Sequence, residues 1–395
     1  MQMTYETHYK SNRKDGRHVS TMAAFMERLR NTKPLLEFPE HTDQSGFSKW
    51  KEELKNKIRE LLLIFPFTEQ PLPKKINEVQ RDGYRVEKWE FYPDDYSAVP
   101  FLVLIPDDVT EQNKAPGVLC LPGSIHSKEF ISGEPLLDTP KCRFEKYPER
   151  NRMAQYMVKN GMVAFAFDNP ETAECALEIE REGDWGGTSR TQMCCGLLYN
   201  GESYFSLSLF QKLCFLRNIG IFNCVDQDRL AVSAHSLGCD DAMYLGLLCD
   251  EIKAVVFNDF VCDERHRYFA TTEYDERKMC NHNGDWHIIP GMYKYYSRVD
   301  VLAALAPKYL TLNEGGADYF LDKIKKAYSL NAAADNLHVH YYPKYREEGN
   351  RSKIYEPPMY GLSEDTYFEY ANCDAPDHSF REEAANALLK KAFFE

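Results

Sequence analysis

Leu230-Ala231-Val232-Ser233-Ala234-His235-Ser236-Leu237-Gly238 runs from an apolar, strand-like segment into a sharp turn, and Asp240 to Leu248 follow as helix-like sequence. The order is strand, small-x-Ser-x-Gly, helix. A serine there sits on a strained turn, and its neighbours must be small because any extra Cβ would strike the strand or the helix. The turn lifts the hydroxyl above the sheet edge and aims the next backbone N–H at a forming oxyanion. The helix N-terminus adds partial positive charge. Ala234 replaces the first glycine of the usual pattern, so the strand–turn–helix context weighs more than the string itself. The plainer alternative is a serine capping an ordinary helix.

A serine hydroxyl is a weak nucleophile until a base takes its proton, and that base must itself be oriented. Where this turn carries the serine, the carboxylate and then the histidine follow it along the chain. The histidines after Ser236 are His266, His282, His287, His338, His340 and His378. His338 and His340 fall in a strand-like run and read as structural, and His282 and His287 as at most pocket walls. His378 lies in Asp374-Ala375-Pro376-Asp377-His378-Ser379-Phe380, just before a final helix over Glu382 to Phe394, and is the expected base. The carboxylate is sought after Tyr309 to Leu312, in Asn313-Glu314-Gly315-Gly316-Ala317-Asp318. Asp318 is the preferred acid because a glycine turn followed by Asp can swing a carboxylate round to the imidazole; Glu314, at the strand end with a longer reach, is the alternative. A second oxyanion donor is expected from Pro122-Gly123-Ser124-Ile125-His126-Ser127-Lys128, so the Ser124 and Leu237 N–H groups form the candidate pair. His126, His235 and Trp185 are candidates for lining the pocket.

Outward from this centre, short apolar runs alternate with amphipathic stretches. Gly117 to Leu121, Met162 to Phe167, Leu230 to Ala234, Ala254 to Phe257, Tyr309 to Leu312 and Leu337 to Tyr342 suit strands buried on both faces of a mostly parallel sheet. The intervening segments supply crossover helices, one of them Arg150 to Asn160 with Gly161 as its stop. Two further strands are expected over Arg85 to Tyr92 and Pro100 to Ile105. Residues 1–75 read differently, as a helical extension: Thr21 to Leu29, then Gly46 to Ile64, where Trp50, Leu54, Ile58, Leu61 and Leu62 recur at helical spacing. The expected class is α/β, with the catalytic domain over residues 76–395.

The chain has 61 acidic and 48 basic residues, a net charge of −13. That balance offers no electrostatic footprint for nucleic acid or an anionic membrane, although a local basic pocket remains compatible with it. The 12 cysteines are scattered through apolar runs without a C-x-x-C pair and read as buried, reduced thiols of a cytoplasmic protein. The first twenty residues lack a signal-peptide core, and no apolar run approaches the ~20 residues of a membrane span. H-E-x-x-H, G-x-x-x-x-G-K and G-x-G-x-x-G are all absent, so no metal or cofactor is expected.

Taken in order, Pro122-Gly123-Ser124 through Lys128, Asp168, Val225-Asp226-Gln227-Asp228-Arg229-Leu230 leading into Ala234 to Gly238, Ile289-Pro290-Gly291-Met292, Ala304-Leu305-Ala306-Pro307, Asn313 to Asp318 and Pro376-Asp377-His378 resemble the α/β-hydrolase families related to acetyl xylan esterases and dienelactone hydrolases. The resemblance implies an α/β-hydrolase fold. It also implies an esterase removing acetyl or similar groups from carbohydrates or other small esters, with no nucleic-acid or membrane partner and with a homo-oligomer left open. A peptidase or amidase using the same triad and a catalytically silent, ligand-binding relative are the alternatives. Pro122 stands where many relatives have His, and the insertion Thr172 to Tyr199, acidic and then glycine-rich around Trp185-Gly186-Gly187, departs from their pattern. It is expected to shape the pocket.

Overall fold

The computed structural model describes residues 11–134, 148–178, 187–270, 284–356 and 363–395. Nine strands form one sheet: β1 (Lys74–Arg81), β2 (Tyr84–Phe91), β3 (Val99–Pro106), β4 (Ala115–Leu121), β5 (Val163–Phe167), β6 (Val225–His235), β7 (Ile252–Asn258), β8 (Tyr309–Leu312) and β9 (Leu337–Val339). Their order is β1-β2-β3-β5-β4-β6-β7-β8-β9. β1, β2, β3 and β5 pair antiparallel, and every pairing from β5 to β9 is parallel. The apolar runs thus became strands because helices cover both sheet faces, although the last, expected over Leu337 to Tyr342, ends at Val339; β3, β4 and β5 are buried along their whole length. β1 was not expected from the sequence. It is an edge strand, Lys-Lys-Ile-Asn-Glu-Val-Gln-Arg, with nearly every residue exposed, and its charges suit a sheet edge that must not recruit another strand.

Helices α1 (Thr21–Arg30) and α2 (Gln44–Leu62) make up the N-terminal extension. Asp43 caps α2 by accepting from the Gly46 N–H. Trp50, Leu54, Ile58 and Leu62 are buried in the same apolar cluster as Leu119, Phe165 and Val232 of the sheet. Polar ties reinforce the packing: the Phe38 N–H donates to Asp300 Oδ1 at 2.8 Å, and Lys51 Nζ to the Ala306 carbonyl at 2.8 Å. The opposite face carries a second cluster, where Met153, Met157, Leu388 and Leu389 meet Val118, Ala164 and Val256. Those residues come from helices α3 (Met153–Lys159) and, near the C-terminus, Glu382–Phe393.

Among the described residues no helix is long and apolar enough to cross a membrane. The described cysteines are all free thiols, most of them buried; Cys142 and Cys280 lie outside the described residues. Because α2 shares the core of the sheet, Trp50→Ala should lower the free energy of unfolding by ~3–5 kcal/mol, as for other large-to-small aromatic truncations. Urea unfolding followed by tryptophan fluorescence and circular dichroism measures it. A separate early transition with the main one unmoved would mean that the extension is not part of this core.

Candidate active site

β6 ends at His235 and the next helix begins at Gly238, so Ser236 and Leu237 must turn the chain between them. Ser236 has φ +52°, a left-handed conformation that a residue with a Cβ adopts only when its surroundings hold it there. Its N–H donates to the Asn258 carbonyl at 3.1 Å, and its own carbonyl accepts from the Cys239 N–H at 2.9 Å. A Cβ on Gly238 would collide with the Leu121 backbone, which is why the turn needs glycine there.

The C-terminal loop brings His378 to this edge of the sheet. His378 Nδ1 lies 2.6 Å from Glu314 Oε2, and since a carboxylate only accepts, the ring nitrogen is the donor. Glu314 is fully buried. Its Oε2 also accepts from the Tyr342 hydroxyl at 2.6 Å, and its Oε1 from the Ser379 N–H at 3.2 Å and Asn258 Nδ2 at 3.3 Å. Burial opposes the charged imidazole, but the Glu314 carboxylate, its hydrogen bond and the more distant Asp259 outweigh it and raise His378 to about 9.

Asp318, the preferred acid in the sequence, does not meet the imidazole. Gly315 and Gly316 have φ +64° and +150°. They let the chain fold back on Val261, whose N–H donates to the Gly315 carbonyl at 2.9 Å and whose carbonyl accepts from the Ala317 N–H at 3.0 Å. Asp318 is thereby carried past the site to open a helix, Asp318–Leu330, where its carboxylate accepts from the Tyr341 hydroxyl at 2.5 Å and lies 3.8 Å from Arg351. The alternative, Glu314, is the histidine's partner.

Asn258, at the end of β7, was missed by the sequence reading. Its Nδ2 reaches His235 Nδ1 at 3.0 Å and the Ser379 carbonyl at 3.0 Å, while its Oδ1 accepts from the Arg381 N–H at 2.7 Å. A lone Asn after an apolar run gives no sign of such a role except its place at the carboxyl end of a central strand. His235 is buried, and burial, helped by His378 and His126, holds its imidazole well below the usual histidine range, so it stays neutral. Its ring centroid is 4.5 Å from that of His378 and 5.7 Å from that of His126, which itself stacks on Phe130 at 4.6 Å.

The Pro122–Lys128 loop packs directly on the serine turn: a Cβ on Gly123 would stand 3.4 Å from Ser236 Cβ. Asn169 Nδ2 holds the Pro122 and Gly123 carbonyls at 3.3 and 3.0 Å. The loop's far end is anchored by Lys128, whose N–H and Nζ each donate to Asp168 at 2.7 Å, with Glu129 and Glu174 also on the ammonium. Among the described residues, neither the Ser124 N–H nor the Leu237 N–H donates to an acceptor of the chain. Trp185 and His282 lie outside the described residues; His287 Nδ1 donates to the Asp240 carboxylate at 3.1 Å.

His235, Glu314 and His378 present ligand atoms within 4.8 Å of one another, a spacing that would also suit a cation. Glu314, however, already accepts from four donors, and a metal would have to displace them. A separate cavity of about 580 Å³, lined by Phe25, Phe205, Met243, Tyr244 and Met292 among others, lies between α1 and the helix after Ser236.

A mostly parallel sheet with a strained serine at a strand–helix turn defines an α/β-hydrolase. The chain belongs to the Abhydrolase family, whose model matches residues 2–391. It is similar to a proposed acetyl xylan esterase from Bacteroides fragilis, at 34% identity and a TM-score of 0.88 over 97% of both chains. The fold is also shared with a methylesterase (15% identity, TM-score 0.54, 93% of this chain and 78% of that one) and with a glucuronoyl esterase from Solibacter usitatus (12% identity, TM-score 0.53, 79% and 93%). No curated protein matches the sequence.

The His378–Glu314 pair has a direct signature. In wild-type protein the His378 ring, followed by NMR, should lose its proton with an apparent pKa near 9. Since the raised value comes from Glu314, Glu314→Gln should move it down, toward or below the ordinary ~6.5. The stabilisation from this pair is accordingly complete below ~6.5 and lost as pH rises through about 9. A wild-type titration already near 6.5, unmoved by Glu314→Gln, contradicts the assigned pair.

Proposed function

We propose that this protein is a serine-dependent carboxylic ester hydrolase that removes acetyl or similarly small acyl groups from carbohydrate or other small-molecule esters by way of an acyl-enzyme. The observation that carries this reading is the 2.6 Å contact between His378 Nδ1 and the buried carboxylate of Glu314, beside the strained Ser236 turn. With Nδ1 bound to Glu314, the opposite ring nitrogen, Nε2, is the one left to act as base. In the proposed reaction Ser236 Oγ attacks the ester carbonyl as His378 takes its proton. The imidazolium so formed, stabilised by Glu314, returns the proton to the departing alcohol, and water then releases the acyl group by the reverse path. The Ser124 and Leu237 N–H groups are the proposed oxyanion donors; one such donor is typically worth about 10²–10³ in rate. The esterase names borne by the similar structures agree with an ester rather than an amide as substrate. The free, mostly buried thiols agree with a reducing, cytoplasmic setting.

The test is hydrolysis of p-nitrophenyl acetate together with labelling by a fluorophosphonate probe. Ser236→Ala should abolish both. Glu314→Gln should lower kcat by roughly 10⁴, as when a triad acid is neutralised, whereas Asp318→Asn should leave kcat close to wild type. Since the base must be neutral to work, kcat/KM should rise with pH toward an inflection near 9. Labelling that persists in Ser236→Ala, or peptide amides cleaved while acetyl esters are untouched, defeats the proposal.

A further inference from the structure

Buried cations in this protein come with carboxylates. Among the described residues, Lys55, Lys128, Lys212, Arg265, Arg298 and Lys323 are buried, and each has at least one carboxylate oxygen within 4.0 Å. Arg190 is the exception. It is 5% exposed, yet no described carboxylate forms an ion pair with it. Its guanidinium lies 4.1 Å from the Trp286 ring centroid, Nη1 donates to the Ser124 carbonyl at 3.1 Å, and Nε is buried with no hydrogen-bond partner. Removing a full charge from water without a counter-charge is costly, so such an arrangement needs a reason.

Its position supplies one. Arg190 stands on the first turn of the helix Gly187–Tyr199, in the insertion set apart in the sequence, and reaches the loop that packs on Ser236. One guanidinium edge is spent on Ser124. The ring of Trp286 covers its face and the buried Tyr204 hydroxyl lies against it, while Nε has no hydrogen-bond partner among the described residues. Arginine presents parallel N–H groups that match the two oxygens of a carboxylate, and a desolvated site makes that contact stronger.

We propose that Arg190 binds a carboxylate carried by the ester substrate, so that the preferred substrates are acidic esters, acylated acids or half-esters of dicarboxylic acids. This rests on the serine esterase reading and adds the substrate class to it. The overall charge of −13 would repel such a substrate at long range. That makes a local cation without an ion-pair partner among the described residues, held against the Ser124 loop, all the more needed for recognition.

Three esters test it: phenyl acetate, 4-acetoxybenzoate with the carboxylate on the alcohol side, and monophenyl succinate with it on the acyl side. Wild-type enzyme should favour at least one acid over phenyl acetate in kcat/KM. That ratio should fall roughly ten- to a hundredfold in Arg190→Gln, the scale of losing hydrogen bonds between charged groups, and mostly through KM. Arg190→Lys, keeping the charge without the fork, should fall in between. Absence of any acid preference in the wild type overturns the inference even if a variant fails to fold, and so does an equal loss on all three esters, which would mark Arg190 as a prop for the Ser124 loop. If wild type leaves phenyl acetate and both acids untouched, the esterase reading itself has failed; turnover of phenyl acetate without a preference sinks only the acidic-substrate inference.

Discussion

An ionised carboxylate survives in a protein interior only when its lone pairs are filled, and Glu314 is buried to the point of zero exposure. Four donors fill them: His378 Nδ1, the Tyr342 hydroxyl, the Ser379 N–H and Asn258 Nδ2. These groups come from the end of β7, the segment after β9 and the C-terminal loop, which are far apart in the chain. Satisfying one carboxylate therefore draws three segments to a single point at the sheet edge. The imidazole is then fixed in position and tautomer before any substrate arrives. The same bond that orients His378 raises its affinity for a proton, so orientation and basicity have a common cause.

The opposite wall is built on the same logic with the sign reversed. Lys128 is buried among Asp168, Glu129 and Glu174, and its backbone N–H is tied to Asp168 as well. This fixes the end of the loop that carries Ser124, while Asn169 holds the loop's beginning. Between the two anchors, Gly123 packs against His235 and Ser236, and a Cβ there would stand 3.2 Å from the His235 ring. Arg190 then adds a third contact from the insertion. Two charge clusters, one around an acid and one around a base, thus hold the two sides of the proposed reaction centre on rigid strand ends.

Much of this was legible in the sequence, and what was not has physical reasons. The serine turn announces itself because steric demand restricts positions 234 and 238 to small residues. The two-faced burial of the sheet makes its strands read as continuous apolar runs. His378 was identifiable from its place between the last strand and the last helix. The carboxylate that pairs with His378 was not, because a Gly-Gly pair permits the chain to turn either way; which way depends on the pairing of Gly315 and Ala317 with Val261, more than fifty residues upstream. β1 stayed hidden because an edge strand exposed on both faces shows no apolar alternation. Asn258 and Arg190 make contacts that no local pattern encodes.

The most direct measurement is a crystal structure of the protein inactivated by a small alkyl fluorophosphonate. The account predicts phosphorus bonded to Ser236 Oγ, the phosphoryl oxygen within hydrogen-bond distance of the Ser124 and Leu237 N–H groups, and His378 still joined to Glu314. An adduct on another side chain, or a phosphoryl oxygen turned away from both N–H groups with the His378–Glu314 contact broken, would contradict it.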